Sequence, residues 1–163
     1  SDLLEIQLIQ EEHRDRRLKS ILDSIKRDYD FVLIDSPPSL NVLTLNVLTA
    51  ADSVLIPIQC EYYALQGLAE LLNTIRLVQQ STNPHLTIEG ALLTMYDSRL
   101  NLSKQVVEDV KSTFSEKVFK TVIPRSVKLS EAPSFGKPII LYDVVSAGAV
   151  RYMELAKEVI GND

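Results

Sequence analysis

Apolar residues in this chain recur in two alternating spacings. Leu18, Ile21, Leu22, Ile25 and Tyr29 fall at i, i+3, i+4, i+7 and i+11 with charged residues between them, the stripe of an amphipathic helix. Asp2 and Glu5 have the spacing of a capping box, so residues 1–30 are expected to be helical in two pieces. Phe31-Val32-Leu33-Ile34 is then a continuous apolar run, as expected of a strand buried on both faces of a parallel sheet. It ends on Asp35, and Pro37 and Pro38 stop strand and helix alike because neither has an N–H. The alternation continues with a helix over 40–51, a buried strand over 53–58 broken late by Pro57, and a helix over 63–80 ended by Asn83-Pro84. A strand over 86–94 follows, then a helix over 101–114 with Val106, Val107, Val110 and Phe114 inward, and a strand over 118–123. Residues 124–138 form a loop-rich stretch, and a closing helix over 146–160 offers Val150, Met153, Leu155, Ala156 and Val159 to the core.

Strands alternating with helices predict an α/β fold with a mostly parallel sheet and helices on both faces. No internal repeat or linker divides the 163 residues, so one domain spanning 1–163 is expected. At 45% apolar composition the chain has enough to bury a sizeable core. It has no run long enough to span a bilayer and no signal-like start, which makes the cytoplasm the default compartment. A lone cysteine, Cys60, forms no internal disulfide and is read as a small buried hydrophobe. The net charge of −5 is uneven: residues 97–137 carry eight Lys and Arg against five Asp and Glu, while every other stretch is net acidic. A polyanion would be met by 97–137.

Asp35 is the first candidate for chemistry. A hydrophobic strand that delivers one acid to the carboxyl edge of a parallel sheet is the form of the magnesium-holding acid of phosphate-binding NTPases; a turn-forming or helix-capping Asp has the same local pattern. A phosphate-cradling loop needs clustered glycines and a lysine at a helix N-terminus. The five glycines, at 67, 90, 136, 148 and 161, are widely spaced and form no such loop. Met95 reads equally as core filler and Arg99 as a solvated cation on a helix lead-in. His13 has no partner at metal-ligand spacing, and His85, beside Pro84, reads as loop surface.

The run DSPPSLNVLTLNVLTAADSVLIPIQCEYYALQGL, continued by LLTMYDSRLNL and VIPRSVKLSEAPSFGKPIILYD, resembles the ParA/Soj family of chromosome- and plasmid-partitioning ATPases from about Asp30 onward. The resemblance implies the deviant P-loop NTPase (SIMIBI-type) fold, with ATP and Mg2+ as cofactors and Asp35 holding the metal through water. It places Met95 and Asp97 near the adenine and Pro124 on the adenine's other side. Arg99 and Lys128 become DNA contacts, with Arg125 and Lys137 in support; Lys128 stands where the family often carries arginine, which keeps the charge but loses the bidentate fork. It further implies a homodimer, non-specific DNA at the nucleoid, a ParB/Spo0J-type centromere-binding partner that stimulates hydrolysis, and no membrane. Because the family carries its phosphate loop before the region matched, the chain is expected to be the carboxyl-terminal two-thirds of such a protein and inactive by itself. Two alternatives stand beside it: a non-enzymatic α/β interaction module, and the related division-site (MinD-like) ATPases, whose basic amphipathic carboxyl-terminal helix has no counterpart here.

Overall fold

The structure, a computed structural model, describes residues 15–36, 41–62 and 66–161. The Asp2–Glu5 capping pair, His13 and the Pro37-Pro38 stop lie outside the described residues. The chain divides into two compact units, Ser1–Val54 with Leu68–Thr87 and Leu55–Gly67 with Ile88–Asp163.

In the first unit, α1 (Arg17–Ile25) runs into a 3-10 turn, Lys26–Asp28, and packs on α2 (Val42–Ala50). Asn41 caps α2: its Oδ1 accepts the N–H of Leu43 at 3.0 Å and of Thr44 at 3.2 Å, satisfying two of the donors a helix start leaves open. Asn83 does the matching work at the other end. It is buried beyond α3 (Gln66–Gln80), and its Nδ2 donates to Leu48 O at 3.0 Å and Ala51 O at 2.7 Å, carbonyls that the end of α2 leaves without helical partners. The Thr49 and Thr82 hydroxyls join beside it at 2.8 Å. Leu48, Leu68, Ile75, Val78 and Leu86 are buried apolar residues of this unit.

The expected strand over 31–34 is not formed. Phe31, Val32 and Leu33 are exposed, Leu33 at 92%, and no described strand pairs with them. An apolar run states only that its side chains favour burial; a strand exists where a neighbour's N–H and C=O groups complete the ladder. The α1 stripe is likewise only partly covered, with Ile21 and Ile25 exposed.

β1 (Ser53–Gln59) and β2 (Thr87–Thr94) form a hydrogen-bonded pair. Thr87 N donates to Asp52 O at 3.1 Å and Cys60 N to Thr94 O at 2.8 Å; the partners advance together, so the pair is parallel. β1 alternates, with Ile56 and Ile58 buried and Pro57 exposed, so Pro57 sits in the strand rather than breaking it. The other edge of β2 is bonded by residues 117–125: Ala91 N to Lys117 O at 2.8 Å, Phe119 N to Ala91 O at 3.0 Å, Ile123 N to Leu93 O at 2.9 Å. Here the expected strand over 118–123 is reduced to two parallel bridges, Ala91 with Val118 and Tyr96 with Pro124. Between Phe119 and Ile123 the segment advances twice as far as β2 does between its acceptors Ala91 and Leu93, so Lys120 and Thr121 bulge out of the ladder. Their N–H groups go to Glu158, at 2.6 and 2.9 Å.

Ala91, Leu92 and Leu93 are buried, and Leu92 joins Phe119, Ile123 and Leu155 in one cluster. Gly90 admits this close approach: a Cβ there would lie 2.9 Å from the Phe119 ring and 3.2 Å from Lys117 O. α4 (Asn101–Phe114) buries Ser103, Val106, Val110 and Phe114, and Ser103 Oγ donates to Cys60 O at 3.2 Å. Burial pushes the Cys60 thiol up to about 11, in keeping with a small inert hydrophobe.

The stretch 124–138 is ordered into α5 (Val127–Glu131) and a 3-10 turn, Ala132–Phe135, closed by Gly136 at φ +61°. Pro133 occupies the start of that turn, where its missing N–H is harmless. After α6 (Ile139–Tyr142) comes α7 (Ala147–Gly161). The buried positions of α7 are Gly148, Ala149 and Leu155, with Val159 partly covered, while Val150, Met153 and Ala156 are exposed. Gly148 explains the rotation: a Cβ there would meet Leu129 at 2.7 Å, so the helix presents its smallest residues to α5. No described helix is long and apolar enough to cross a membrane.

Asn83→Ala should lower stability by about 1–3 kcal/mol, the range for stranding buried acceptors, read by urea denaturation with an unchanged m-value. Glu158 supplies a pH signature. Burial opposes its charge, but the N–H groups of Lys120 and Thr121 outweigh that and hold its pKa below the ordinary 4.5. A depressed folded-state pKa stabilises above the unfolded value and is lost as pH falls through the folded one. Glu158→Gln should therefore cost about 1 kcal/mol at neutral pH, and the gap to wild type should close as pH drops below 4.5.

Candidate functional site

The carboxyl end of β2 gathers most of the residues singled out in the sequence. Tyr96 is fastened on both sides, its N–H to Ile123 O at 3.2 Å and its carbonyl to Arg125 N at 3.0 Å. Met95, between β2 and this anchor, is held at φ +54°, a left-handed conformation that costs a non-glycine residue about 1 kcal/mol and persists only where neighbours impose it. The chain then turns, with Leu100 N on Asp97 O at 3.1 Å, and enters α4.

Within that turn Asp97 and Arg99 are clamped. Asp97 Oδ1 accepts Arg99 N at 3.0 Å and Nε at 2.9 Å, and Oδ2 accepts Nη2 at 2.7 Å. The carboxylate is sheltered, with 13% of its side chain exposed, whereas Arg99 is 85% exposed. Hydrogen bonding from the Arg99 side chain and then its backbone N–H brings the Asp97 carboxyl down to about 2, and the same pairing raises Arg99.

The other cations are also engaged. Arg125 pairs with Glu61. Lys128 Nζ lies 3.6 Å from Glu131 Oε2 and 5.6 Å from the Tyr142 ring centre; the Tyr142 hydroxyl donates to that same Glu131 oxygen at 2.9 Å, which raises the Tyr142 pKa. Lys137 has no ion-pair partner among the described residues and lies at the rim of a shallow apolar depression lined by Leu129, Ile139, Tyr152 and Met153. Phe135, the aromatic nearest these cations in sequence, rests against Tyr142 with ring centres 5.1 Å apart. The structure thus brings Met95, Asp97, Arg99, Pro124 and Arg125 to one strand end in the second unit. The carboxylates that neutralise the cations were not foreseen: Lys128 and Glu131 sit at readable i, i+3 spacing, but Glu61 and Arg125 are 64 residues apart.

Asp35 belongs to the first unit and is exposed. Among the described residues no three His, Cys, Asp or Glu side chains converge. A single exposed carboxylate fits a magnesium ion held through water and phosphate oxygens, not one caged by protein ligands.

A parallel α/β ladder whose polar groups gather at the carboxyl end of its central strand is common to many open α/β folds; the solved structures it resembles place it in the P-loop NTPase class. Cobyrinic acid a,c-diamide synthase of Mycobacterium smegmatis, with bound ATP analogue and magnesium, superposes at TM-score 0.76 and 41% identity over 94% of this chain and 55% of that one. McdA of Cyanothece in its ATP complex shares the fold at TM-score 0.82 and 19% identity, over 98% of this chain and 62% of that one. The chain belongs to the AAA domain family, whose model matches residues 2–88, and it is homologous over most of its length to Soj/ParA chromosome-partitioning proteins. It is 61% identical over 158 residues to the sporulation initiation inhibitor protein Soj of Bacillus subtilis, covering 97% of this chain and 62% of that protein. To the chromosome partitioning protein ParA of Myxococcus xanthus it is 54% identical over 159 residues, covering 98% and 56%. The chain spans less than two thirds of the length of these relatives.

The clamp predicts a titration. Followed by carbon NMR, the Asp97 carboxyl should titrate at about 2; an ordinary aspartate midpoint would mean that Arg99 is not seated on it.

Proposed function

We propose that this chain is part of a ParA/Soj-type partitioning ATPase. One observation carries the reading: 61% identity to Soj extends over 97% of this chain, well above the 41% shared with the diamide synthase. The two units would then be parts of one ATPase domain acting in the cytoplasm, at the nucleoid and without a membrane. Asp35 would hold Mg2+ through water, and Met95, Asp97 and Pro124 would flank the adenine; ATP and the metal supply a transferable phosphoryl group and its charge neutralisation. The chain's own contribution is positional. Met95 is fixed in its strained conformation by the Tyr96 anchor, and Pro124 is bridged to Tyr96, so a base seated there would meet a wall that does not rearrange.

Arg99 and Lys128, with Arg125 and Lys137 in support, would contact DNA phosphates. Three of the four are paired with carboxylates, so one copy offers little net positive charge and binds weakly. A nucleotide-bound homodimer joins two such surfaces and multiplies affinity through effective concentration, and a ParB/Spo0J-type partner would reset the cycle by stimulating hydrolysis.

The test is a salt titration of DNA binding by the intact protein with ATP and magnesium present. Arg99→Ala and Lys128→Ala should each weaken binding to unrelated sequences by a similar factor and flatten the log–log salt slope by roughly one unit. Unchanged slopes in both variants would remove this surface from the reading.

A further inference from the structure

The Asp97–Arg99 pair is not an ordinary surface ion pair. Exposed pairs exchange readily with solvent and contribute little; the Lys128–Glu131 pair, at 3.6 Å with side chains 50% and 41% exposed, is of that kind. Asp97 instead grips Arg99 by two side-chain nitrogens and the backbone N–H, from a sheltered position on a turn anchored by Tyr96. The bidentate grip takes Nε and Nη2, leaving Nη1 without a partner among the described residues on a side chain that is 85% exposed. The guanidinium is presented to solvent with a carboxylate against its back.

We propose that Asp97 is a positioning residue that restrains Arg99: it fixes the guanidinium plane and cancels part of its charge, so that Asp97 limits how strongly this turn engages a phosphate backbone. This rests on the reading that Arg99 meets DNA. Counterion release scales with the phosphates effectively neutralised, and a cation with a carboxylate at 2.7 Å acts on a phosphate several ångströms away more as a dipole than as a unit charge. The fork that would grip a phosphate bidentately is half spent on Asp97. A phosphate therefore meets only the outer edge of the guanidinium, Nη1 with the second N–H of Nη2, or displaces the carboxylate from the Nε–Nη2 edge.

Asp97→Asn tests the effect, compared with wild type at ATP concentrations that saturate each protein because Asp97 is also proposed to flank the adenine. Asn keeps an Oδ1 that accepts Arg99 N and Nε, preserving the turn, while its amide nitrogen in place of Oδ2 is a donor facing Nη2 and releases that side of the fork. In the intact protein with ATP and magnesium, titrated with a short mixed-sequence duplex, Asp97→Asn should bind about 3- to 10-fold tighter with a salt slope steeper by only a fraction of a unit, since a single cation contributes about one unit in all. Asp97→Glu, which keeps the charge, should stay near wild type. In an Arg99→Ala background the gain should fall to that of a simple loss of one negative charge, since the cycle then contains no guanidinium to release. Glu116→Gln, which removes an exposed charge elsewhere in the second unit, controls for net charge and should give a smaller gain that survives Arg99→Ala. If Asp97→Asn binds no tighter than wild type while Arg99→Ala binds more weakly, the restraint is wrong and the DNA role of Arg99 stands. A gain that persists undiminished without Arg99, or is matched by Glu116→Gln in the presence of Arg99, also overturns it. If Arg99→Ala leaves binding unchanged, the DNA role of Arg99 falls and this proposal with it.

Discussion

β2 is bonded along both edges, by β1 on one side and by residues 117–125 on the other, and the second unit takes its form from that arrangement. A strand in the middle of a parallel ladder must present small or apolar side chains to both faces, and Gly90 to Leu93 meets the requirement, with Gly90 admitting the Phe119 ring. Because 117–125 must keep pace with β2 at both ends yet has extra residues between, it bulges, and Glu158 supplies acceptors for the two N–H groups displaced. The same pairing, carried past the end of β2, fastens Tyr96, sets Met95 in the left-handed region and aims the turn that holds Asp97 and Arg99. The candidate site is the continuation of the ladder beyond the sheet.

Electrostatics in this chain is local. The basic excess of 97–137 is real as a count, but its most prominent cations are each met by a carboxylate, and one of those, Glu61, comes from outside the segment. Surface pairs of this kind contribute little to folding; their consequence is for binding, because a polyanion has to compete with carboxylates already in place. Function built on such a surface depends on assembling several copies or on releasing the pairs.

Much of the architecture was legible in the sequence where the signal was a long period with clear stops. The helix Asn101–Phe114 was read to the residue, and β2 and α7 within a residue at each end, because apolar spacing and flanking polar residues agreed. Where burial depends on partners the sequence does not display, it misled. Phe31 to Ile34 has a strand's composition and no ladder; Val118 to Ile123 has a ladder that a bulge interrupts; α7 is turned by the fit of Gly148 against Leu129, which no periodicity announces. The stretch 124–138 was read as loop-rich, yet it forms α5 and a 3-10 turn that starts at Ala132 with Pro133 at its head. The candidate residues near the end of β2 were reached through the ParA/Soj resemblance, from two stretches about 25 residues apart in sequence, while the clamp of Arg99 by Asp97 needed coordinates.

The role proposed for this surface is that of a nucleotide-gated, sequence-indifferent DNA binder. Fluorescence anisotropy of the intact protein on two duplexes of unrelated sequence, with ATP and then ADP, addresses it most directly. The account predicts equal affinities for the two duplexes with ATP and a loss of about tenfold or more on both with ADP, as expected when two weak surfaces are no longer joined. A preference for one duplex, or the same affinity with either nucleotide, would contradict it.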